Sequence, residues 1–152
     1  MIYRLIIFLI LNFGALAIGG YFSRFGVSSN WYMELTKAPW TPPGWMFGVA
    51  WTTIMLCFSI YLAYLYAESP KKTILFLFIF QWILNVAWNL VFFYNQNILG
   101  GLFIIIVLTI LIGCFLILYW PEMKIKSFLI VPYFLWMLIA SSLNIYIAIF
   151  NR

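Results

Sequence analysis

The sequence predicts an all-α integral membrane protein, a five-transmembrane-helix bundle with one long structured first loop. Three observations carry this. The 152 residues are 67% hydrophobic and only 7% charged, with a mean hydropathy of +1.10, where a soluble domain carries roughly a quarter charged residues. Five apolar stretches each offer the ~20 residues needed to cross about 30 Å of hydrocarbon. The unbroken apolar run from Gly101 to Trp120 excludes the alternating pattern of a membrane barrel, leaving helices to satisfy the backbone in lipid.

The first helix is expected at about 3–23. Arg4, an apolar run and Ala15-Leu16-Ala17 resemble a signal peptide with its cleavage site. The run continues through Ile18-Gly19-Gly20-Tyr21-Phe22, so it reads as a membrane span. Its Ala15, Gly19 and Ser23 recur every four residues and allow close helix approach. The connection at about 24–44 alone is long enough to hold structure of its own. Pro43-Gly44 then opens a second helix at about 45–66, and Ser69-Pro70 a third at about 72–94. Asn95-Gln96-Asn97 precedes a fourth at about 99–119, and Pro121 a fifth at about 126–150. The three short connections make consecutive helices antiparallel neighbours. Residues 1–152 read as one membrane domain.

The missing residue types narrow the chemistry. There is no His, and the three carboxylates are Glu34, Glu68 and Glu122, all in expected connections. That leaves no His-based triad, no usual metal site, no paired-carboxylate mechanism and no buried proton relay. No metal and no cofactor are expected. Cys57 and Cys114 lie inside apolar runs and read as packing residues rather than a disulfide. The net charge of +5 comes from Lys and Arg at segment ends, a membrane-orientation pattern rather than a nucleic-acid signal. Arg4, Lys71, Lys72, Lys124 and Lys126 fall on one side and Arg24, Lys37 and Arg152 on the other. The balance places the N-terminus inside and the first loop outside.

Information concentrates between Pro39 and Trp51, which hold three of the eight tryptophans and three of the six prolines. Proline fixes the backbone and tryptophan offers a flat, stiff surface. Pro39 to Gly44 therefore reads as a stiff lid, and Phe47, Gly48 and Trp51 as the first turns of the second helix facing a cavity. On the third helix Gln81, Asn85, Trp88, Asn89 and Phe92 share one face, and on the fifth Pro132, Trp136, Ala140 and Asn144 do, with Ser141 beside them. The fourth helix carries little beyond Thr109 and is expected to face lipid. Taken singly, Gln81, Asn89 and Asn144 read as interhelical hydrogen-bond glue. Asn85 together with Trp88, Trp51, Trp136 and the small Ala140 describes an apolar pocket with a few orienting polar groups. Trp31, Trp45, Trp82 and Trp120 read as interface-belt residues.

Three ordered motifs carry a resemblance that covers the whole chain. Trp31-Tyr32, Lys37-Ala38-Pro39-Trp40-Thr41-Pro42-Pro43-Gly44 and Phe47 through Trp51 form the first. Gln81-x-x-x-Asn85-x-x-Trp88-Asn89-x-x-Phe92-Phe93 forms the second, and Pro132-Tyr133-x-x-Trp136-x-x-x-Ala140-x-x-Leu143-Asn144 the third. Together they resemble the tryptophan-rich sensory protein family (TspO/MBR), which includes the translocator protein or peripheral benzodiazepine receptor. The resemblance implies a five-helix bundle, a homodimer, and a ligand cavity closed by the first loop. It implies porphyrins such as protoporphyrin and haem as ligands, with isoquinoline carboxamide and benzodiazepine drugs, and the bacterial cytoplasmic membrane as location. Carried over by position, Tyr32, Trp40 and Pro42 belong to the lid, while Trp51, Asn85, Trp88, Trp136 and Ala140 line the cavity; Phe47, Gly48 and Asn144 complete the set read from spacing. This chain departs from the family in having Ala38 where many members have proline, and Asn89 where Ser, Thr or Pro is common. The tail Leu143-x-x-Tyr146-x-x-x-x-x-Arg152 fits the loose cholesterol pattern and reads first as a pair of interface anchors.

Three functions compete at this stage. The first is a receptor or sensor for planar tetrapyrroles, linked to tetrapyrrole and stress regulation. The second is an enzyme for light-dependent protoporphyrin breakdown, with Trp136 as redox partner and Trp51 assisting. The third is a porphyrin or sterol transporter, for which the helices offer no ionisable coupling residue.

Overall fold

In a computed structural model, residues 1–69 and 72–151 are described. Pro70, Lys71 and Arg152, which enter the expected turn, the charge count and the sterol-like tail, lie outside the described residues. The chain forms α1 (Ile2–Val27), a short α2 (Asn30–Glu34), α3 (Gly44–Glu68), α4 (Lys72–Asn89), α5 (Ile98–Leu118), α6 (Trp120–Met123) and α7 (Val131–Phe150). A π turn, Leu90–Tyr94, extends α4, and a 3-10 segment, Lys124–Leu129, precedes α7. Among the described residues α1, α3, α4 with its π turn, α5 and α7 are long and apolar enough to cross a membrane. This is the five-helix membrane bundle the sequence predicts.

Local chemistry sets the boundaries. α1 runs past the expected 23 to Val27, because no proline intervenes and Gly26 is accommodated within the last turn. Ser29 then caps α2, its Oγ accepting the Tyr32 N–H at 3.2 Å. The last span opens at Val131 rather than at about 126, because Lys124 takes a positive φ of 48° and interrupts the helical path. Pro132 then occupies the first turn of α7, where its missing N–H leaves no helical bond unmade. Asn97 caps α5 by accepting the Gly100 N–H at 2.8 Å.

α1 packs on α3 and α4, while α5 packs on α4 and α7. The dense core lies toward the end of the bundle that holds the α1 N-terminus. There Phe58, Tyr61, Leu62 and Leu65 of α3, Ile74 of α4 and Phe115 of α5 are wholly buried. Tyr61 donates its hydroxyl to the Phe115 carbonyl at 3.1 Å, and Lys126 pairs with Glu68 at the surface of that end. Arg4, Lys72, Lys124 and Lys126 belong to this end, Arg24 and Lys37 to the opposite one.

Two expectations are corrected. α5 is not merely lipid-facing: Gly101 lets the Phe92 ring approach so closely that a Cβ would meet it at 2.7 Å. Ile105, Leu108 and Ile112 are buried, and Thr109 Oγ1 pairs with Ser141 Oγ at 2.8 Å. An apolar helix packs chiefly through shape, because helix association in lipid rests largely on van der Waals fit; its other face, with Phe103 and Ile117, stays exposed. Trp82, expected in the interface belt, lies within α4, and its indole N–H donates to the Leu11 carbonyl at 2.9 Å. Two small positions of α1, Gly19 and Gly26, are consumed within the chain. A Cβ on Gly19 would meet Asn89 Nδ2 at 2.7 Å, and one on Gly26 would meet Phe93 Cβ at 2.6 Å.

Candidate functional site

The connection between α2 and α3 is stiffened from within. Thr41 returns both its N–H and its hydroxyl to the Ala38 carbonyl, at 3.0 and 2.7 Å. Pro42 and Pro43 then lead into α3, where Gly44 and Gly48 carry no side chain to obstruct the space beneath. The loop is also tied to α7. Asn151 accepts the Thr36 N–H at 2.8 Å and donates to the Thr36 carbonyl at 3.0 Å, an amide fork that reads one residue's backbone from both sides. Trp40 donates its indole N–H to Ser142 Oγ at 3.1 Å and meets Tyr146 edge-on at 5.4 Å.

Beneath this loop lies a cavity of about 560 Å³, within the range that holds a drug-sized ligand. α1 supplies Leu16, Gly20 and Ser23, the loop region Tyr32, Lys37 and Pro42, α3 Phe47, Gly48 and Trp51, and α4 Asn85, Trp88 and Asn89. Phe93 of the π turn closes one side. Among the described lining residues Lys37 carries the one charge. Its Nζ lies 4.4 Å from the centre of the Tyr32 ring, a cation–π distance. Burial pushes the Tyr32 phenol above its ordinary value. At neutral pH Tyr32 is therefore uncharged and offers Lys37 a ring face, not a phenolate.

The π turn shapes the aromatic wall. It leaves the Asn95 N–H bonded to the Leu90 carbonyl at 2.9 Å and the Asn97 N–H to the Val91 carbonyl at 3.0 Å. In such a turn residues five apart align, so Phe93 as well as Phe92 reaches Trp88. Trp88 and Phe92 stack within 9° at 5.4 Å, and Phe93 meets Trp88 edge-on at 5.4 Å. Phe92 continues to Trp31 at 5.8 Å and Phe93 to Tyr32 at 5.4 Å. One cluster of rings thus joins the cavity wall to α2.

Of the residues expected from sequence, Tyr32, Pro42, Phe47, Gly48, Trp51, Asn85 and Trp88 border the cavity. Trp40 does not; it lies on the outer side of the loop, 54% exposed. Trp136, Ala140 and Asn144 are buried in α7, one layer behind. Trp136 meets Phe47 edge-on at 5.3 Å. Asn144 accepts the Trp88 indole N–H at 3.3 Å and donates to the Ala140 carbonyl at 2.9 Å. Tyr133 Oη accepts from Gln81 at 2.7 Å and from Asn85 at 2.8 Å, and its ring stands edge-on to Trp51 at 6.0 Å. α7 therefore orients the wall rather than forming its inner surface.

Sequence reasoning missed Lys37, Phe93 and the α1 face of Leu16, Gly20 and Ser23. The last was legible as a 4-3 spacing. Gly20 and Gly48 differ from Gly19 in kind: no atom lies within 4 Å of where a Cβ would stand.

Comparison with known proteins agrees with this architecture. The model of the TspO/MBR family matches residues 6–150. The chain is 36% identical to the tryptophan-rich protein TspO of Archaeoglobus fulgidus, over 90% of this chain and 91% of that one. It is 29% identical to protein CrtK of Rhodobacter capsulatus over 75% and 74%, and 30% identical to the translocator protein of Ovis aries over 78% and 73%.

Proposed function

This chain belongs to the TspO/MBR family, and we propose that it is a membrane receptor or sensor that captures planar hydrophobic ligands, chiefly porphyrins such as protoporphyrin and haem, beneath its first loop. The observation that carries the reading is the pairing of flat apolar walls with a single cation at the loop: Phe47, Trp51 and Trp88 below, Lys37 above. A porphyrin has the matching anatomy, an apolar disc with carboxylates at one edge. Its face would lie against Trp51 and Phe47, its carboxylates toward Lys37, and the Asn85 amide, held by Tyr133 at 2.8 Å, toward its polar atoms. Isoquinoline carboxamide and benzodiazepine drugs would use the same walls without the Lys37 contact. The proposal extends to a homodimer through the exposed face of α4 near Ile83 and Ala87, and to the bacterial cytoplasmic membrane with the loop outside.

Titration of the purified protein with protoporphyrin, read by tryptophan quenching, tests the reading. Phe47→Ala with Trp51→Ala should weaken binding at least about tenfold, given the area two aromatic rings bury. Unchanged affinity in a variant that retains its helical circular dichroism would reject it.

A second reading, light-driven protoporphyrin breakdown, is favoured by one observation: the oxidisable rings of Trp51 and Tyr133 stand edge-on at 6.0 Å, with Trp51 on the cavity. Trp136 would act only through Phe47. Illumination of the complex separates the readings: a new product spectrum lost in Trp51→Phe supports chemistry, and simple bleaching supports capture alone.

A further inference from the structure

A second, separate cavity opens at the opposite end of the bundle. It is a groove of about 290 Å³ between α1, α3 and α4, with Arg4 and Tyr66 at its mouth and Phe8, Leu11, Leu75 and Phe78 among its walls. Phe8 and Phe78 are buried and form its floor, whereas Ile7 and Leu11 on its α1 rim are exposed large apolar side chains. The groove therefore opens sideways, toward the hydrocarbon that surrounds a five-span protein.

Its one charge is unusual for its surroundings. The Arg4 guanidinium lies 5.9 Å from the centre of the Tyr66 ring, and among the described residues it has no carboxylate partner. Glu68, just beyond Tyr66 in the chain, is engaged by Lys126. A cation on an aromatic platform, standing over an apolar slot at the level where helices meet headgroups, is complementary to one kind of molecule: an amphiphile with an acyl chain and an anionic head. Arginine suits that head, because its planar fork bonds phosphate oxygens in pairs. The bilayer is the source of such molecules at this depth, and positive side chains at the membrane surface draw its anionic lipids.

We propose that this groove is a specific site for one anionic phospholipid, its acyl chain lying over Phe8 and Phe78 and its phosphate held by Arg4. The site is distinct from the cavity under the first loop and shares no lining residue with it. Binding there would brace α1 against α3 and α4, the helices that also carry walls of the ligand cavity.

Native mass spectrometry of the detergent-solubilised chain tests this, with phosphatidylglycerol and phosphatidylcholine of identical acyl chains as probes. One phosphatidylglycerol per chain should be retained about fivefold over phosphatidylcholine, the effect of one cation at a membrane surface. Arg4→Gln should abolish the preference and Arg4→Lys, which keeps the charge but not the fork, retain only part of it. Ile7→Trp, on the exposed rim, should fill the groove and lose both lipids while helical content stays unchanged. An undiminished preference in Arg4→Gln, or undiminished retention in Ile7→Trp, would overturn the proposal. So would cross-linking of two copies through Ile7→Cys in nanodiscs, since a second chain would then cover the groove.

Discussion

α3 is two helices in one. From Ile54 to Leu65 it contributes eight buried residues, whereas from Gly44 to Thr53 it contributes none. Neither half holds a charged residue, so charge does not separate them. What differs is side-chain size and what stands opposite. In the lower half Phe58 meets Tyr61, Phe78, Phe115 and Tyr133, all within 6.5 Å between ring centres. In the upper half nothing lies within 4 Å of where a Cβ on Gly44 or Gly48 would stand. In lipid, burying an apolar group gains little, because the hydrocarbon is equally apolar. A packed half and a hollow half are therefore distinguished by van der Waals contact, and the hollow half is where a ligand can supply the missing contacts.

The largest expected effect lies in the packed half. Phe58→Ala should lower unfolding stability by about 2 kcal/mol, mainly the cavity term, since leaving lipid contributes no transfer gain. Trp51→Ala in the hollow half should lose less than half as much. Equal losses in chemical denaturation would erase the distinction between the halves. Next comes Gly48→Leu, which adds a side chain where there is space. Porphyrin affinity should fall at least about tenfold, while the melting temperature holds or rises, since Leu outranks Gly in helix propensity by up to about 1 kcal/mol. A folded variant that binds normally would show that the hollow half is not the ligand's seat.

A smaller effect sharpens the role of charge. Lys37→Met should weaken protoporphyrin binding about fivefold, a typical loss for one partly exposed ion pair. The dimethyl ester of protoporphyrin should be unaffected, and an equal loss for both would assign Lys37 a merely structural part. Smallest is Asn151→Ala, which removes the fork on Thr36. Stability should change by about 1 kcal/mol, but porphyrin should dissociate faster in stopped-flow displacement. An unchanged off-rate would show that the loop does not gate the cavity.

Much of this was legible in the sequence. Five spans, their short connections and the lid followed from apolar run lengths and from Pro42-Pro43-Gly44. Trp51, Asn85 and Trp88 followed from helical spacing, and the structure sets all three on one cavity. Trp40 lies in the first loop as expected, but its indole finds Ser142 across the chain while its neighbours Thr41 and Pro42 line the cavity. Trp136 shares a stripe with Ala140 and Asn144, but a stripe gives direction without depth, and Phe47 stands in front of it. The π turn had no sequence signature, so Phe93 stayed outside the α-helical face drawn through Asn85, Trp88 and Phe92. The packing of α5 was hidden because uniform apolarity marks no preferred side.

The fork between Asn151 and Thr36 spans 115 positions of the chain. Synthesis delivers the N-terminal part first, so the loop is made long before its anchor. A chain halted with four helices inserted would own a cavity floor and no fastening for its cover. On the proposed receptor reading, tight ligand retention would then require that the last helix has entered the membrane and docked, and a nascent chain would not hold a ligand before that moment.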